Sequence, residues 1–124
     1  MNILISNSSD QPIYKQITDQ IKDQIMQGEL EESEPLPSIR SLAKDLHISV
    51  ITTKRAYDEL EKEGFIVTIA GKGSYVAAQN KELLRESRIT LVEQRLIEAV
   101  IAARSVDLTI NELIEMLKIF YEEV

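Results

Sequence analysis

The sequence predicts a mostly α-helical chain with one small β-hairpin, followed by a helical tail. Residues 38–62 carry two short helical patterns that are separated by a tight turn at residues 47–49. Residues 65–76 are β-branched and aromatic around a Gly-Lys-Gly turn, as a hairpin prefers. From residue 79 the composition becomes leucine-rich and helical. These observations predict a winged helix-turn-helix over residues 1–78 and a two-helix dimerisation tail over residues 79–124.

Each helix of the first domain has recognisable ends and one apolar face. Pro12 opens the first helix, where its missing N–H costs nothing, and Gly28 ends it. Ser38 caps the second helix or Pro37 opens it, and Ser49 caps the third. The inward residues recur at helical spacing in all three: Ile13, Ile17, Ile21 and Ile25; Ile39, Leu42, Ala43 and Leu46; Thr53, Ala56, Tyr57 and Leu60.

Two further segments of this domain are predicted to be extended or irregular. Residues 2–5 are β-prone and are expected to add a short strand to the sheet of the wing. Residues 29–36 form an acidic loop in which Pro35 resists helix formation. In the hairpin, Gly71 and Gly73 provide the positive φ angles that its turn needs.

The tail reads as two helices with unusually wide apolar faces. One long helix is predicted to run to about residue 104, with a break at residues 107–108. Thr109 and Glu112 form a capping box for the last helix. A monomer would leave much of the apolar surface wet, so we expect two copies to pair about a two-fold axis. The alternative is that both helices fold back onto the winged domain.

The composition excludes several classes of function. No cysteine is present, which excludes disulfides, thiolate catalysis and cysteine-based metal sites. His47 is the only histidine and has no second ligand at a suitable spacing, so neither a metal site nor a catalytic triad is expected. No cofactor and no enzymatic activity are predicted. Neither a signal peptide nor an apolar run of about 20 residues is present, which predicts a cytoplasmic protein without a membrane partner.

Charge is distributed unevenly along the chain. The formal net charge is −7, which argues against a protein that coats DNA through bulk electrostatics. Residues 37–76, however, carry six basic and five acidic side chains, so the acid excess lies in the flanks. The Gly-Lys-Gly-Ser turn at residues 71–74 is no phosphate-binding P-loop, because that motif would need glycine where Ile66 stands.

Several spaced motifs resemble the GntR family of bacterial transcription regulators. They are Pro-Ile-Tyr-Lys-Gln-Ile at 12–17, Leu-Pro-Ser-Ile-Arg-Ser-Leu-Ala at 36–43, Arg-Ala-Tyr at 55–57, Leu-Glu-Lys-Glu-Gly at 60–64 and Gly-Lys-Gly-Ser-Tyr-Val at 71–76. The short tail resembles the YtrA subfamily. The resemblance implies a homodimeric repressor that binds an inverted repeat in double-stranded DNA, with transporter genes as its targets.

The resemblance also implies which residues contact DNA. These are the arginine after Pro-Ser, the start of the third helix and the tip of the wing: Arg40, Ser49, Val50, Ile51, Thr52, Lys54, Gly71 and Lys72. Gly71 would let the backbone approach the minor groove and Lys72 would meet a phosphate. Many members have an arginine that reads guanine at the position of Val50. Valine cannot make that contact but can touch a thymine methyl group.

Several alternatives stay open at this point. Arg55 is expected either to contact a phosphate or to pair with Asp58 or Glu59. Val50 or Ile51 either packs under the wing or meets base edges. An unidentified small-molecule effector could bind between the tail and the winged domain. The competing function is a winged-helix protein-interaction module without DNA binding. Burial of Arg40, Lys54, Arg55 and Lys72 would favour this alternative.

Overall fold

A computed structural model describes all residues, 1–124, and divides them into two compact units, Met1–Ser87 and Arg88–Val124. Five helices and two strands follow one another in this order: α1 (Ile13–Met26), α2 (Ile39–Leu46), α3 (Val50–Lys62), β1 (Ile66–Ile69), β2 (Gly73–Val76), α4 (Lys81–Ser105) and α5 (Ile110–Glu123). This arrangement confirms the predicted fold class, a mostly helical chain with a small β-wing. None of the five helices combines the length and hydrophobicity that a bilayer-spanning segment requires.

Helix α3 is the central element of the first unit. It packs against α1, α2 and β1. Its inward residues Thr53, Ala56, Tyr57 and Leu60 are all buried, as the helical spacing predicts. Ala56 is completely buried, and its small side chain permits close packing of the helices around it. Ile17 and Ile21 of α1 complete the centre of the core from the predicted isoleucine stripe.

The helix ends follow the predicted chemistry. The Ser38 hydroxyl accepts a hydrogen bond from the Ser41 N–H at 3.0 Å, which confirms that Ser38 caps α2. Helix α2 ends at His47, whose φ of 55° is left-handed, and the chain then turns into α3. The Thr109–Glu112 capping box opens α5.

The predicted strand at residues 2–5 is wrong. This segment lies beside α1 instead, and Ile3 is buried in the core. Its backbone is bound by glutamine side chains of α1: the Gln20 amide exchanges two hydrogen bonds with the peptide groups of Leu4, at 2.9 and 2.7 Å, and Gln24 donates to the carbonyl of Asn2 at 2.7 Å. Because Gln20 and Gln24 are four residues apart, they lie on one face of α1. This face provides the hydrogen-bond partners that a neighbouring strand would provide in a sheet.

The acidic loop before α2, not the N-terminus, extends the wing. Strands β1 and β2 pair antiparallel, with Ile66 opposite Val76 and Ile69 opposite Gly73. On the other edge of β2, the Ser33 N–H donates to Val76 and the Leu36 N–H to Ser74, both at 2.9 Å, and the Val76 N–H donates to the carbonyl of Glu34 at 2.9 Å. The root of the wing is therefore hydrogen-bonded to the segment that leads directly into α2.

The second unit contains most of α4, from Arg88 onward, and all of α5. Asp107 has a φ of 58° at the predicted break between them. Within residues 88–124 only Ala103 is buried, while large apolar side chains of both helices are exposed. The two predicted tail helices are present, and their apolar faces are left uncovered within one chain.

Candidate nucleic-acid interface

The start of α2 presents Arg40 on the surface. Arg40 is exposed and forms no ion pair. Three residues earlier, the carbonyl of Pro37 accepts a hydrogen bond of 2.6 Å from the Tyr57 hydroxyl, which ties this turn to α3. Burial raises the pKa of the Tyr57 phenol, so it remains a protonated donor. Arg40 thus extends from a helix start whose position relative to α3 is fixed by a buried bond.

The start of α3 uses two of the predicted contact residues to cap itself. The Ser49 hydroxyl accepts from the Thr52 N–H at 3.1 Å and lies 2.8 Å from the Thr52 hydroxyl, to which it donates. Both roles of Ser49 are therefore engaged within the chain. The Thr52 hydroxyl accepts in this pair, so its own proton is left to donate outward. Between the two, Thr52 is the better placed for a side-chain contact with DNA.

Val50 and Ile51 occupy the first turn of α3 and are both exposed. Their exposed fractions are 48% and 82%. Neither is packed into the core, and their contact with base edges stays a prediction. Apolar side chains at the start of a recognition helix can contact thymine methyl groups in the major groove.

Lys54 is exposed but already has a partner. Its ammonium group lies 2.8 Å from a carboxylate oxygen of Asp58, one turn later, and both side chains are largely exposed. An exposed pair of this kind contributes at most about 1 kcal/mol. A phosphate could therefore replace Asp58, at the cost of that weak interaction.

Arg55 forms neither of the predicted ion pairs. Its guanidinium carbon lies 3.8 Å from the centroid of the Tyr14 ring on α1, and no ion pair joins it to Asp58 or Glu59. Nothing in the sequence pattern selects Tyr14 for this role, because its position beside the isoleucine stripe is typical of a flanking core residue. The only available signal was an aromatic residue at the edge of that stripe, near the helix start.

The tip of the wing presents Gly71 and Lys72. Gly71 has a φ of 76°, a left-handed conformation that strains other residues, and its turn is closed by a 2.9 Å bond from the Lys72 N–H to the carbonyl of Ile69. The Tyr75 hydroxyl donates to the Lys72 carbonyl at 3.2 Å. The Lys72 side chain is exposed and has no ion-pair partner.

The predicted contact residues therefore lie on three surface segments of one unit. No hydrogen bond or ion pair joins Arg40, the start of α3 and the wing tip directly. Other hydrogen bonds connect these segments instead, namely the Tyr57–Pro37 bond and the bonds from residues 33–36 to β2. Sequence reasoning did not find this connection. No three histidine or carboxylate side chains lie close enough together to hold a metal ion.

Comparison with known proteins agrees with this geometry. A family model described as "Bacterial regulatory proteins, gntR family" matches residues 13–76. The chain is 34% identical over 116 residues to the HTH-type transcriptional repressor YtrA of Bacillus subtilis, which covers 94% of this chain and 89% of that protein.

Two solved structures are similar in fold. YtrA from Sulfolobus acidocaldarius, described as a GntR-family transcription factor, is 32% identical with a TM-score of 0.59, over 98% of both chains. AraR(DBD), solved in complex with operator ORX1, is 24% identical with a TM-score of 0.55 and covers 62% of this chain and 96% of its own, which shows the shared fold alone. The chain therefore belongs to the GntR family of bacterial regulatory proteins, and its similarity to both YtrA proteins extends into the helical tail.

Proposed function

We propose that the chain is a homodimeric, sequence-specific repressor that binds an inverted-repeat operator. The observation that carries this proposal is the surface around the start of α3. Val50 and Ile51 are exposed there with no core to fill, and Arg40 and Lys72 are exposed without a carboxylate partner. A recognition helix with an apolar reading end and flanking cations fits a major groove between two phosphate backbones.

The contacts divide into two kinds by their chemistry. Ile51, Val50 and the Thr52 hydroxyl would meet base edges and supply sequence preference. Arg40, Lys54 and Lys72 would meet phosphates, and Gly71 would let the wing backbone approach the minor groove. Ser49 would act mainly through its backbone, since its hydroxyl is engaged in the cap. With valine in place of a guanine-reading arginine, we expect a half-site in which thymine is preferred opposite the helix start.

Pairing of two copies through their helical tails would give the repressor its two-fold symmetry. An apolar groove of about 330 Å³ within the second unit is lined by side chains of α4 and α5, among them Leu96, Val100, Leu113 and Phe120. Exposed apolar surface of this extent is typical of an interface between subunits. A second copy would cover it about a two-fold axis, and two recognition helices would then meet two inverted half-sites.

Repression is supported by similarity to a repressor over most of the chain. Control of transporter genes and action in the cytoplasm rest on the family resemblance. The groove is also large enough for a small apolar effector, whose binding there would compete with the partner copy. The protein-interaction alternative is not favoured, because Arg40, Lys54, Arg55 and Lys72 are all exposed.

The decisive experiment is selection of bound sequences from random duplex DNA by the full chain. We expect enrichment of a palindrome, which would establish binding, symmetry and half-site spacing together. Enrichment of a single unrepeated site would contradict the dimeric arrangement, and no enrichment above a bead-only control would contradict DNA recognition itself.

A further inference from the structure

Arg55 and Tyr14 make a contact that neither the core nor the helix caps require. The 3.8 Å separation between the guanidinium carbon and the ring centroid is that of a guanidinium stacked on an aromatic face. Arg55 is exposed on α3, while Tyr14 is half-buried in the first turn of α1. The stack therefore joins two helices at the protein surface.

Arg55 adopts this position although two carboxylates follow on its own helix. Asp58 and Glu59 lie three and four residues further on, the spacing at which ion pairs form along a helix. Asp58 pairs with Lys54 instead, at 2.8 Å, and Arg55 pairs with neither acid. The guanidinium is thus held in place while its positive charge has no carboxylate partner.

The location of Arg55 relates it to DNA. It lies one turn after Ile51, whose side chain is 82% exposed, and residues four apart share one face of a helix. Arg55 consequently borders the surface that is proposed to enter the major groove. At such a border a recognition helix passes close to the phosphates that line the groove.

Stacking orients Arg55 without consuming its hydrogen-bonding capacity. A guanidinium that contacts an aromatic ring through its face keeps its N–H groups in the plane, where their fork matches two phosphate oxygens. The Tyr14 ring is itself held, because it is half-buried and packs against the hydrophobic core of the first unit. The ring is therefore a fixed platform beneath a charged donor.

We propose that Tyr14 and Arg55 form a phosphate clamp, in which Arg55 binds a backbone phosphate of the DNA and Tyr14 is its positioning residue. The clamp rests on the proposed function as a DNA-binding regulator. It assigns a DNA-binding role to the helix pair α1–α3 in addition to the start of α2, the start of α3 and the wing. Because a phosphate carries no sequence information, the clamp contributes to affinity and orientation rather than to base preference.

The test measures DNA affinity across a salt series for Arg55→Gln, Arg55→Lys, Tyr14→Phe and Tyr14→Leu. The probes are the duplex recovered by selection and a mixed-sequence duplex of equal length. For Arg55→Gln we expect about tenfold weaker binding to both duplexes. The slope of log affinity against log salt should fall by about 1.8, because the proposed dimer loses one phosphate contact, worth about 0.9, in each of its two protomers. Arg55→Lys should keep the slope but bind more weakly, since lysine lacks the planar fork.

The tyrosine variants test the positioning role. Tyr14→Phe retains the ring and should bind within about twofold of the parent, whereas Tyr14→Leu removes the stack and should weaken binding severalfold. Tyr14→Leu should have little further effect when Arg55→Gln is already present, because the two residues act as one unit. Equal binding by Tyr14→Leu and the parent would overturn the positioning role.

Arg95→Gln is the matched control, since Arg95 is an exposed arginine of the tail that is paired with Glu98. It removes the same charge and should leave the salt slope unchanged. An Arg55→Gln protein with the parent slope overturns the clamp while the parent still binds DNA. A parent that binds neither duplex contradicts the proposed function instead. Reduced binding by Arg55→Gln with a lowered Tm and an unchanged slope would show a structural role only, which also overturns the clamp.

Discussion

At the scale of single residues, the exposed cations differ in how free they are to bind DNA. Arg40 and Lys72 have no ion-pair partner, Lys54 is paired with Asp58, and Arg55 is stacked on Tyr14. A free cation can release counterions from DNA without first breaking an internal contact. Arg40 and Lys72 are therefore the residues whose substitution should act most directly on binding.

We predict that Arg40→Ala and Lys72→Ala each weaken operator binding by about tenfold and lower the salt slope by about 1.8, since one phosphate contact is lost in each protomer of the proposed dimer. Fluorescence anisotropy with the selected duplex over a series of salt concentrations measures both quantities. Lys118→Ala, which removes an exposed lysine of α5, is the control. Parent-like binding by both variants would exclude the proposed surface.

Tyr57 acts on stability rather than on DNA. Its hydroxyl makes the 2.6 Å bond to the Pro37 carbonyl, and its burial raises the pKa of the phenol above the ordinary value of 10.0. The folded protein thus holds the proton more tightly than the unfolded chain does. This contribution is fully present below pH 10.0 and is lost as the pH rises towards the pKa of the folded state.

For Tyr57→Phe we predict a loss of about 1–2 kcal/mol in the free energy of unfolding at neutral pH, because the Pro37 carbonyl loses its donor. Urea titrations at neutral pH and above pH 10 measure the difference. The parent should lose more stability than the variant on going to alkaline pH. An equal loss in both proteins would show that ionisation of Tyr57 is not coupled to folding.

The sequence predicts the burial of single residues better than it predicts their polar partners. The inward faces of α1 and α3 were predictable because apolar spacing of 3.6 residues records burial directly. The partners of Lys54 and Arg55 were not, because Asp58 lies at helical spacing from both residues. The Tyr14 ring comes within reach of Arg55 only because α1 packs beside α3. This packing leaves Asp58 as the partner of Lys54.

At the scale of elements, the cap of α3 joins folding to recognition. The Ser49 hydroxyl binds the Thr52 N–H and also the Thr52 hydroxyl, so one side chain fixes the first turn that carries Val50 and Ile51. A frayed first turn would move those apolar side chains out of register with base edges. The cap should consequently affect affinity as well as stability.

Ser49→Ala should reduce the free energy of unfolding by about 1 kcal/mol and weaken binding to the selected operator more than to a mixed-sequence duplex. Thermal unfolding and anisotropy measure the two effects. Ser8→Ala, a surface change outside the helices, serves as the control. Destabilisation with an unchanged preference for the operator would mean that the first turn keeps its shape without the cap.

The extended segments were the elements that the sequence described least well. Residues 2–5 have the β-branched composition of a strand, but glutamine side chains of α1 satisfy their backbone. Residues 33–36 contain Glu34 and Pro35 and belong to the predicted acidic loop, yet they bond to β2. Strand pairing depends on partners distant in sequence, which local composition does not record.

At the scale of the whole molecule, the proposed DNA contacts and the proposed pairing of two copies belong to different units. Residues 1–87 contain the buried core and every proposed DNA contact, whereas residues 88–124 bury only Ala103. We propose that a second copy completes the second unit, because that unit leaves its own apolar residues exposed. The predicted domain boundary at residues 78–79 remains a proposal. Truncations before and after the first turn of α4 can locate this boundary.

Truncation after residue 87 should give a folded monomer with much weaker operator binding. The core of the first unit is retained, but the truncated protein loses the linked binding of two half-sites, which can be worth about 10²-fold or more. Sedimentation reports the assembly and anisotropy reports the affinity. A truncated protein that still sediments as a dimer would refute the role proposed for the tail.

The attachment of residues 33–36 to β2 also constrains how regulators of this shape can diverge. At the root of the wing, β2 is hydrogen-bonded to β1 on one edge and to residues 33–36 on the other. A residue inserted there would disrupt both sets of bonds and displace the start of α2. The tip at residues 70–72 is joined only within the wing, through its own turn and the bond from the Tyr75 hydroxyl to the Lys72 carbonyl. Lengthening or shortening of the wing should therefore be tolerated at the tip alone. Exchanging tip loops between related regulators is a practical route to new minor-groove preferences on an unchanged scaffold.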